Sequence, residues 1–209
     1  MLENIVKAMT DLEEETLYEA VKKAAASGTD GLEIVASLQK GMEMVGDLFS
    51  KNEYFLGELM LSAELFKNCQ ELMGSGGSKS DAAYGKFILG TVYGDVHDIG
   101  KNIVSTVLGC NGFEVIDLGV DVKPEAFIAA IKEHSDAKVV GLSCLLTTAF
   151  DALKDCVGQI REAGLDKGRL LMIGGGPVNQ RALEYSGADV YTINAQEGFE
   201  KARAFVSRA

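Results

Sequence analysis

The sequence predicts an α/β protein: an N-terminal four-helix bundle followed by a flavodoxin-like (Rossmann-like), doubly wound sheet of five parallel strands. Three observations carry this. Residues 2–74 place apolar side chains only at helical spacing. From Lys86 onward, short β-rich runs alternate strictly with helical segments. Between them lies Gly74-Ser-Gly-Gly-Ser-Lys-Ser80, a flexible linker by composition. The expected division is a helical domain over 1–82 and a sheet domain over 83–209.

The elements follow in order. Thr10 with Glu13, and Asp30 with Glu33, fit capping boxes that open helices. Leu12, Leu17, Ala20, Val21 and Ala24 then recur near the helical period, and Ile34, Val35, Leu38, Met42, Val45 and Phe49 form a wide stripe after Asp30. A last helix is expected near Leu56 to Met73, so four helices form a bundle, the first of them short. Strands are expected at 87–92, 113–119, 138–143, 170–175 and 189–194. Helices are expected near 99–110, 123–134, 148–163, 178–186 and 196–207. Alternation of this kind requires a parallel sheet covered on both faces. Ligands in such folds sit beyond the carboxyl ends of the strands.

Composition removes several function classes. The chain has 31 acidic and 20 basic residues, a formal charge of −11, which disfavours nucleic acid as a partner. At 47% hydrophobic it has ample core material. No run approaches 18 apolar residues, and MLENIVKAMTDLEEE lacks the basic and apolar regions of a signal peptide. A cytoplasmic protein without membrane segments is expected. Cys69, Cys110, Cys144 and Cys156 form no C-x-x-C pair and read as reduced, mostly buried thiols. Two histidines leave little room for a zinc site built by protein alone.

The candidate functional residues follow the strands. After the first comes Gly94-Asp-Val-His-Asp-Ile-Gly-Lys-Asn102. His97 offers a neutral imidazole to a soft or borderline metal, and Asp95 is placed to hold its other ring nitrogen. An isolated D-x-H is also compatible with a loop histidine that has no ligand. Gly100 permits close approach of a bulky group. His134, beside Glu133 at a helix end, reads as a solvated cation on the helix dipole. After the third strand, Ser143, Thr147 and Thr148 can bond ribose, phosphate or amide groups; for Thr147 or Thr148 alone, capping the next helix is the better reading. After the fourth, Gly174-Gly-Gly-Pro177 suits a close-approach turn opening a helix, where a phosphate is conceivable.

Together these motifs are more specific than their parts. D-x-H-x-x-G, then S-x-L, then G-G, with 42 residues between Gly100 and Ser143 and 28 between Leu145 and Gly174, resemble the cobalamin-binding module. Gly41-Met-Glu-Met-Val-Gly-Asp-Leu-Phe49, Tyr54-Phe-Leu56 and Leu61-Ser-Ala-Glu64 resemble the helical cap of the same family. Nearly the whole chain is similar to the corrinoid proteins of methyltransferase systems for methanol, methylamines, betaines or methoxylated aromatics.

The resemblance implies a cofactor, cobalamin or a related cobamide, whose nucleotide tail enters the sheet domain. His97 would be the lower cobalt ligand and Asp95 its hydrogen-bond acceptor, the two residues on which the chemistry depends. Gly100 would leave room for the tail, and Ser143, Leu145 and Thr147 would line its base pocket. Gly174 and Gly175 would let the nucleotide lie on backbone, and Asn194 and Ala195 would close the pocket. Val96, Asp98, Ile99, Ile103, Thr148 and Gly176 complete the implied binding set. Two departures stand out: Asn194 occupies a frequent aspartate position, and Ala149 occupies a hydroxyl position that would extend the His97–Asp95 relay. Thr147, Thr148 or water would then substitute.

The implied function is a methyl carrier without activity by itself. It would accept a methyl group on Co(I) from a substrate methyltransferase and deliver it to a second methyltransferase acting on a thiol or tetrahydrofolate. A reductive activase would rescue oxidised cobalt. The bundle would cap the upper cofactor face, using residues around Tyr54 to Phe66. Rival readings are a signalling receiver, whose required lysine after strand five is missing from Asn194-Ala-Gln196, a cobalamin-dependent mutase subunit, and a cobalamin-sensing regulator.

Overall fold

A computed structural model describes residues 1–73 and 84–208. The expected linker at Gly74–Ser80 lies outside the described residues. Two compact units emerge: Met1–Ala83 with Cys110–Gly112, and Tyr84–Gly109 with Phe113–Ala209. No helix among the described residues is long and apolar enough to cross a membrane.

The first unit contains α1 (Leu2–Thr10), α2 (Glu14–Ala26), α3 (Gly31–Ser50) and α4 (Leu56–Met73). Its core joins Ile5 and Met9 of α1, Leu17 and Val21 of α2, Ile34, Leu38 and Met42 of α3, and Leu65 and Cys69 of α4. The backbones of α1 and α3 approach closely at Gly41, where an added Cβ would stand 2.6 Å from Met9 Cβ. Asp30 caps α3 by accepting from Leu32 N at 3.1 Å. Thr10 does not open a helix. It ends α1, and its hydroxyl donates back to Val6 O at 2.8 Å, the local bond a helical threonine favours. The next helix starts at Glu14 with no side-chain cap, and Leu12 lies in the connecting turn at φ 56°.

The second unit alternates β1 (Lys86–Thr91), α5 (Ile99–Cys110), β2 (Glu114–Asp117), α6 (Pro124–Glu133), β3 (Val139–Ser143), α7 (Phe150–Glu162), β4 (Leu170–Gly174), α8 (Gln180–Ser186), β5 (Val190–Thr192) and α9 (Ala195–Val206). All five strands are parallel, in the order β2-β1-β3-β4-β5. One face buries Ile88, Val140, Leu142, Leu171 and Ile173 with Phe127 and Ile131 of α6 and Leu153, Val157 and Ile160 of α7. Strand period sends the intervening residues, Phe87, Leu89, Gly141 and Met172, to the other face. There the Phe113 ring meets Phe87 edge-on at 5.8 Å and Phe199 of α9 at 6.2 Å. An added Cβ on Gly198 of α9 would meet Met172 Sδ at 3.8 Å.

The four cysteines are free thiols; Cys69, Cys144 and Cys156 are buried and Cys110 is half-buried. Burial raises all four, Cys110 to about 11 and the others to about 12, so none is a thiolate nucleophile at neutral pH.

Candidate cofactor site

The parallel sheet brings every β-to-α turn to one edge, and the candidate residues meet there. Asp95, Val96, His97 and Asp98 connect β1 to α5, which opens with Ile99 and Gly100. Ser143 ends β3, and Leu145, Thr147 and Thr148 follow before α7; Gly174 ends β4, and Gly175 and Gly176 lead toward α8; Asn194 follows β5, and Ala195 opens α9. Ile103 lies half-buried one turn into α5.

Backbone bonds build the loop that carries His97. Thr91, fully buried at the end of β1, donates its hydroxyl to His97 O at 2.9 Å. Asp121, after β2, accepts from Gly94 N at 2.7 Å and donates its own N–H to Asp95 O at 2.9 Å. Asp121 stands at φ 56°, a conformation that short polar residues tolerate. Lys101 is 3% exposed and forms an ion pair with Asp117, tying the first turn of α5 to the end of β2.

Asp95 is fully buried and accepts four hydrogen bonds. Its Oδ1 takes His97 N at 3.0 Å and His97 Nδ1 at 2.7 Å. Its Oδ2 takes Leu145 N at 2.6 Å and Leu146 N at 3.0 Å. Burial pushes this carboxyl up. Bonds from the Leu146 amide, the His97 amide and ring, and the Leu145 amide outweigh burial, and the net shift is downward. A carboxylate can only accept, so Nδ1 donates, and in a neutral ring the lone pair then lies on Nε2. The imidazole side chain is 48% exposed, so that lone pair belongs to a half-open ring. A half-open imidazole whose other ring nitrogen is held by a buried carboxylate is the arrangement that metal-ligating histidines adopt.

The relay expected through a hydroxyl takes another form. Ala149 is buried, and both Asp95 Oδ2 bonds come from backbone amides. Neither Thr147 nor Thr148 caps a helix. A 3-10 turn spans Thr147–Ala149, Ala149 itself precedes α7, and no side chain caps either element. Gly174-Gly-Gly-Pro177 also differs from expectation. It lies before α8, whose first amides are taken by Asn179 Oδ1, so no open helix N-terminus awaits a phosphate. Gly175, at φ +142°, runs against the β3 loop, where an added Cβ would lie 2.0 Å from Cys144 O. Asn194 caps α9 by accepting from Gln196 N at 2.9 Å and Glu197 N at 3.2 Å, a role asparagine fills as well as aspartate. His134 ends α6 half-exposed, as expected of a solvated histidine.

Sequence reasoning missed Thr91, Asp121, Lys101 and Asp117. Thr91 is the polar residue closing an apolar strand run, a signal that was available. Lys101 carries no such signal, because only the tertiary structure turns a helical lysine inward.

The edge also suits a large, flat, partly apolar group. Tyr93, Val96, Ile99, Val120, Leu145 and Ile193 are exposed around it. No heavy atom lies within 4 Å of a Cβ built on Gly100. Ile99, Gly100 and Asn102 in the first turn of α5 are exposed, while Lys101 is buried. Among the described residues no group of three or more His, Cys, Asp or Glu is placed to hold an ion. A single exposed imidazole suits a metal that arrives with its own macrocycle.

Comparison with known proteins matches these features. Residues 85–203 and residues 1–71 each match a B12 binding domain model. The chain is 37% identical over 204 residues to a dimethylamine corrinoid protein of Methanosarcina acetivorans, covering 97% of this chain and 95% of the relative. Its fold is similar to the crystal structure of a cobalamin-binding protein from Desulfitobacterium hafniense (TM-score 0.81, 34% identity, 98% of both chains). It is also similar to a chain of the methanol:cobalamin methyltransferase complex of Methanosarcina barkeri (TM-score 0.79, 30% identity, 100% of this chain and 80% of that one). The fold and site define a B12-binding module. The chain belongs to the corrinoid proteins of methylamine and methanol methyltransferase systems, and its cofactor is a cobalamin-type corrinoid.

Proposed function

We propose that this protein is a cytoplasmic methyl carrier with no catalytic turnover of its own. Bound corrinoid supplies a cobalt that takes up and releases a methyl group; the residues here bind and orient it. His97 Nε2 would hold the cobalt, and Asp95 would fix the ring and the proton on Nδ1. Val96, Asp98, Ile99, Gly100 and Ile103 form the wall beside His97. Ser143, Leu145, Thr147 and Thr148 line the tail pocket, and Gly174, Gly175 and Gly176 with Asn194 and Ala195 close it. Met44, Phe55, Leu56, Met60 and Leu61 are exposed on the bundle, apolar material of the kind a protective cover needs. We assign residues 1–82 that role and residues 83–209 the cofactor.

The partners in this reading are a substrate methyltransferase, a second methyltransferase acting on a thiol or tetrahydrofolate, and a reductive activase. Seven basic against fifteen acidic residues over 1–82 leave that segment at −8, which favours basic partner surfaces. The observation that carries the reading is the His97–Asp95 pair, with Nδ1 committed at 2.7 Å and Nε2 left for a metal. Electron paramagnetic resonance of the Co(II) protein tests it. Coupling to a histidine nitrogen is expected, lost in His97→Ala and kept in His134→Ala. Isotopic labelling that assigns the coupled nitrogen to benzimidazole would refute the proposal.

A further inference from the structure

One buried polar atom near this edge is unexplained by the roles above. Gln196 is 3% exposed, yet its Oε1 meets no hydrogen-bond donor among the described residues. Buried acceptors are nearly always paired, because an unmade bond forfeits the hydration they gave up.

Its place in the fold is specific. Gln196 is in the first turn of α9, and Gln196, Phe199 and Ala202 form the buried stripe of that helix. The stripe faces the sheet surface that carries Phe87 and Met172. At the carboxyl edge of that surface, the strand registers align Thr91, Ser143, Gly174 and Thr192 in one row. Two of these are small, and the Thr192 hydroxyl is already bonded to Asn194 O and Glu197. The start of α9 packs on Thr192, where an added Cβ on Gly198 would lie 3.2 Å from Thr192 Cγ2, and this brings Gln196 Oε1, an uncommitted acceptor, toward the end of the row.

We propose that Gln196 Oε1 accepts a hydrogen bond from a ribose hydroxyl of the corrinoid's nucleotide tail, and so favours corrinoids that carry the tail over those that lack it. The inference rests on the corrinoid reading above and adds a residue that reads the tail rather than the ring.

The test uses the full-length apoprotein, with Gln196→Leu and Gln196→Met. Each is titrated with cobalamin and with cobinamide, which has the corrin ring but no ribose, phosphate or base, and followed by visible absorption. Both variants are expected to bind cobalamin about five- to ten-fold more weakly, with cobinamide changed by less than about two-fold. Removal of a buried, unpaired carbonyl oxygen is also expected to hold or raise the melting temperature of the apoprotein, by up to about 2–4 °C. Equal weakening for both ligands, unchanged cobalamin affinity, or lower melting temperatures in both variants would each overturn the assignment. Failure of the unaltered protein to bind either corrinoid would instead overturn the corrinoid reading.

Discussion

Replacement of Asp95 by asparagine keeps the side chain's shape and removes half its accepting capacity. The four donors on Asp95 arrive as two pairs: His97 N and Nδ1 on one oxygen, Leu145 N and Leu146 N on the other. An amide has one carbonyl oxygen and one NH2, so either orientation points the NH2 at two N–H groups. Two buried bonds unmade at about 1–3 kcal/mol each give about 2–6 kcal/mol of destabilisation. His97→Ala is the informative contrast. Its ring is half-exposed and Asp95 keeps three donors, so the apoprotein loses less than about 1 kcal/mol. Urea unfolding of both apoproteins at pH 7 measures the difference. The carboxylate's stabilisation is lost on acidification, because its folded value lies below the ordinary 3.8. The advantage over Asp95→Asn should therefore be full above pH ~4 and fade only as pH falls through the lower, folded value. An Asp95→Asn cost under about 1 kcal/mol, or a His97→Ala cost equal to it, would refute the view that Asp95 joins the two loops rather than merely serving the histidine.

Three further outcomes follow from backbone geometry. Gly175→Ala adds a Cβ 2.0 Å from Cys144 O at a φ that disfavours side chains; a loss above about 3 kcal/mol is expected by denaturant unfolding. At Gly100 in α5 an added Cβ meets no atom outside its own helical turn within 4 Å, so apoprotein stability of Gly100→Leu should stay within about 1 kcal/mol. Corrinoid titration of that variant should nonetheless show affinity reduced at least about ten-fold, equivalent to about 1.4 kcal/mol. Gly41→Ala drives a Cβ to 2.6 Å from Met9 Cβ and should cost the bundle about 1–3 kcal/mol by thermal unfolding.

Much of this architecture was legible in the chain. Strand runs such as FILGTV and KVVGLS alternate with helical stripes, and parallel sheets leave few other ways to bury them. Observed strands fall within the expected runs to within a residue, and Asp95 and His97 stand together as the D-x-H spacing required. Capping was less legible. Thr10 and Thr147 carry hydroxyls near helix boundaries, but a threonine can bond backward to its own helix or stand idle where the chain takes a 3-10 turn.

Sequence by itself determined the order of elements, the edge at which they converge and the pairing of Asp95 with His97 there, because hydrophobic period and local spacing are properties of adjacent residues. Only the tertiary structure decided how Asp95 is satisfied. Its partners Leu145 and Leu146 lie some fifty positions away and contribute backbone N–H groups, which every residue but proline possesses and no motif can display. The same holds for the inward turn of Lys101 and the unpaired oxygen of Gln196: a side chain's type is written in the chain, but what surrounds it is set by the packing of strands distant in sequence.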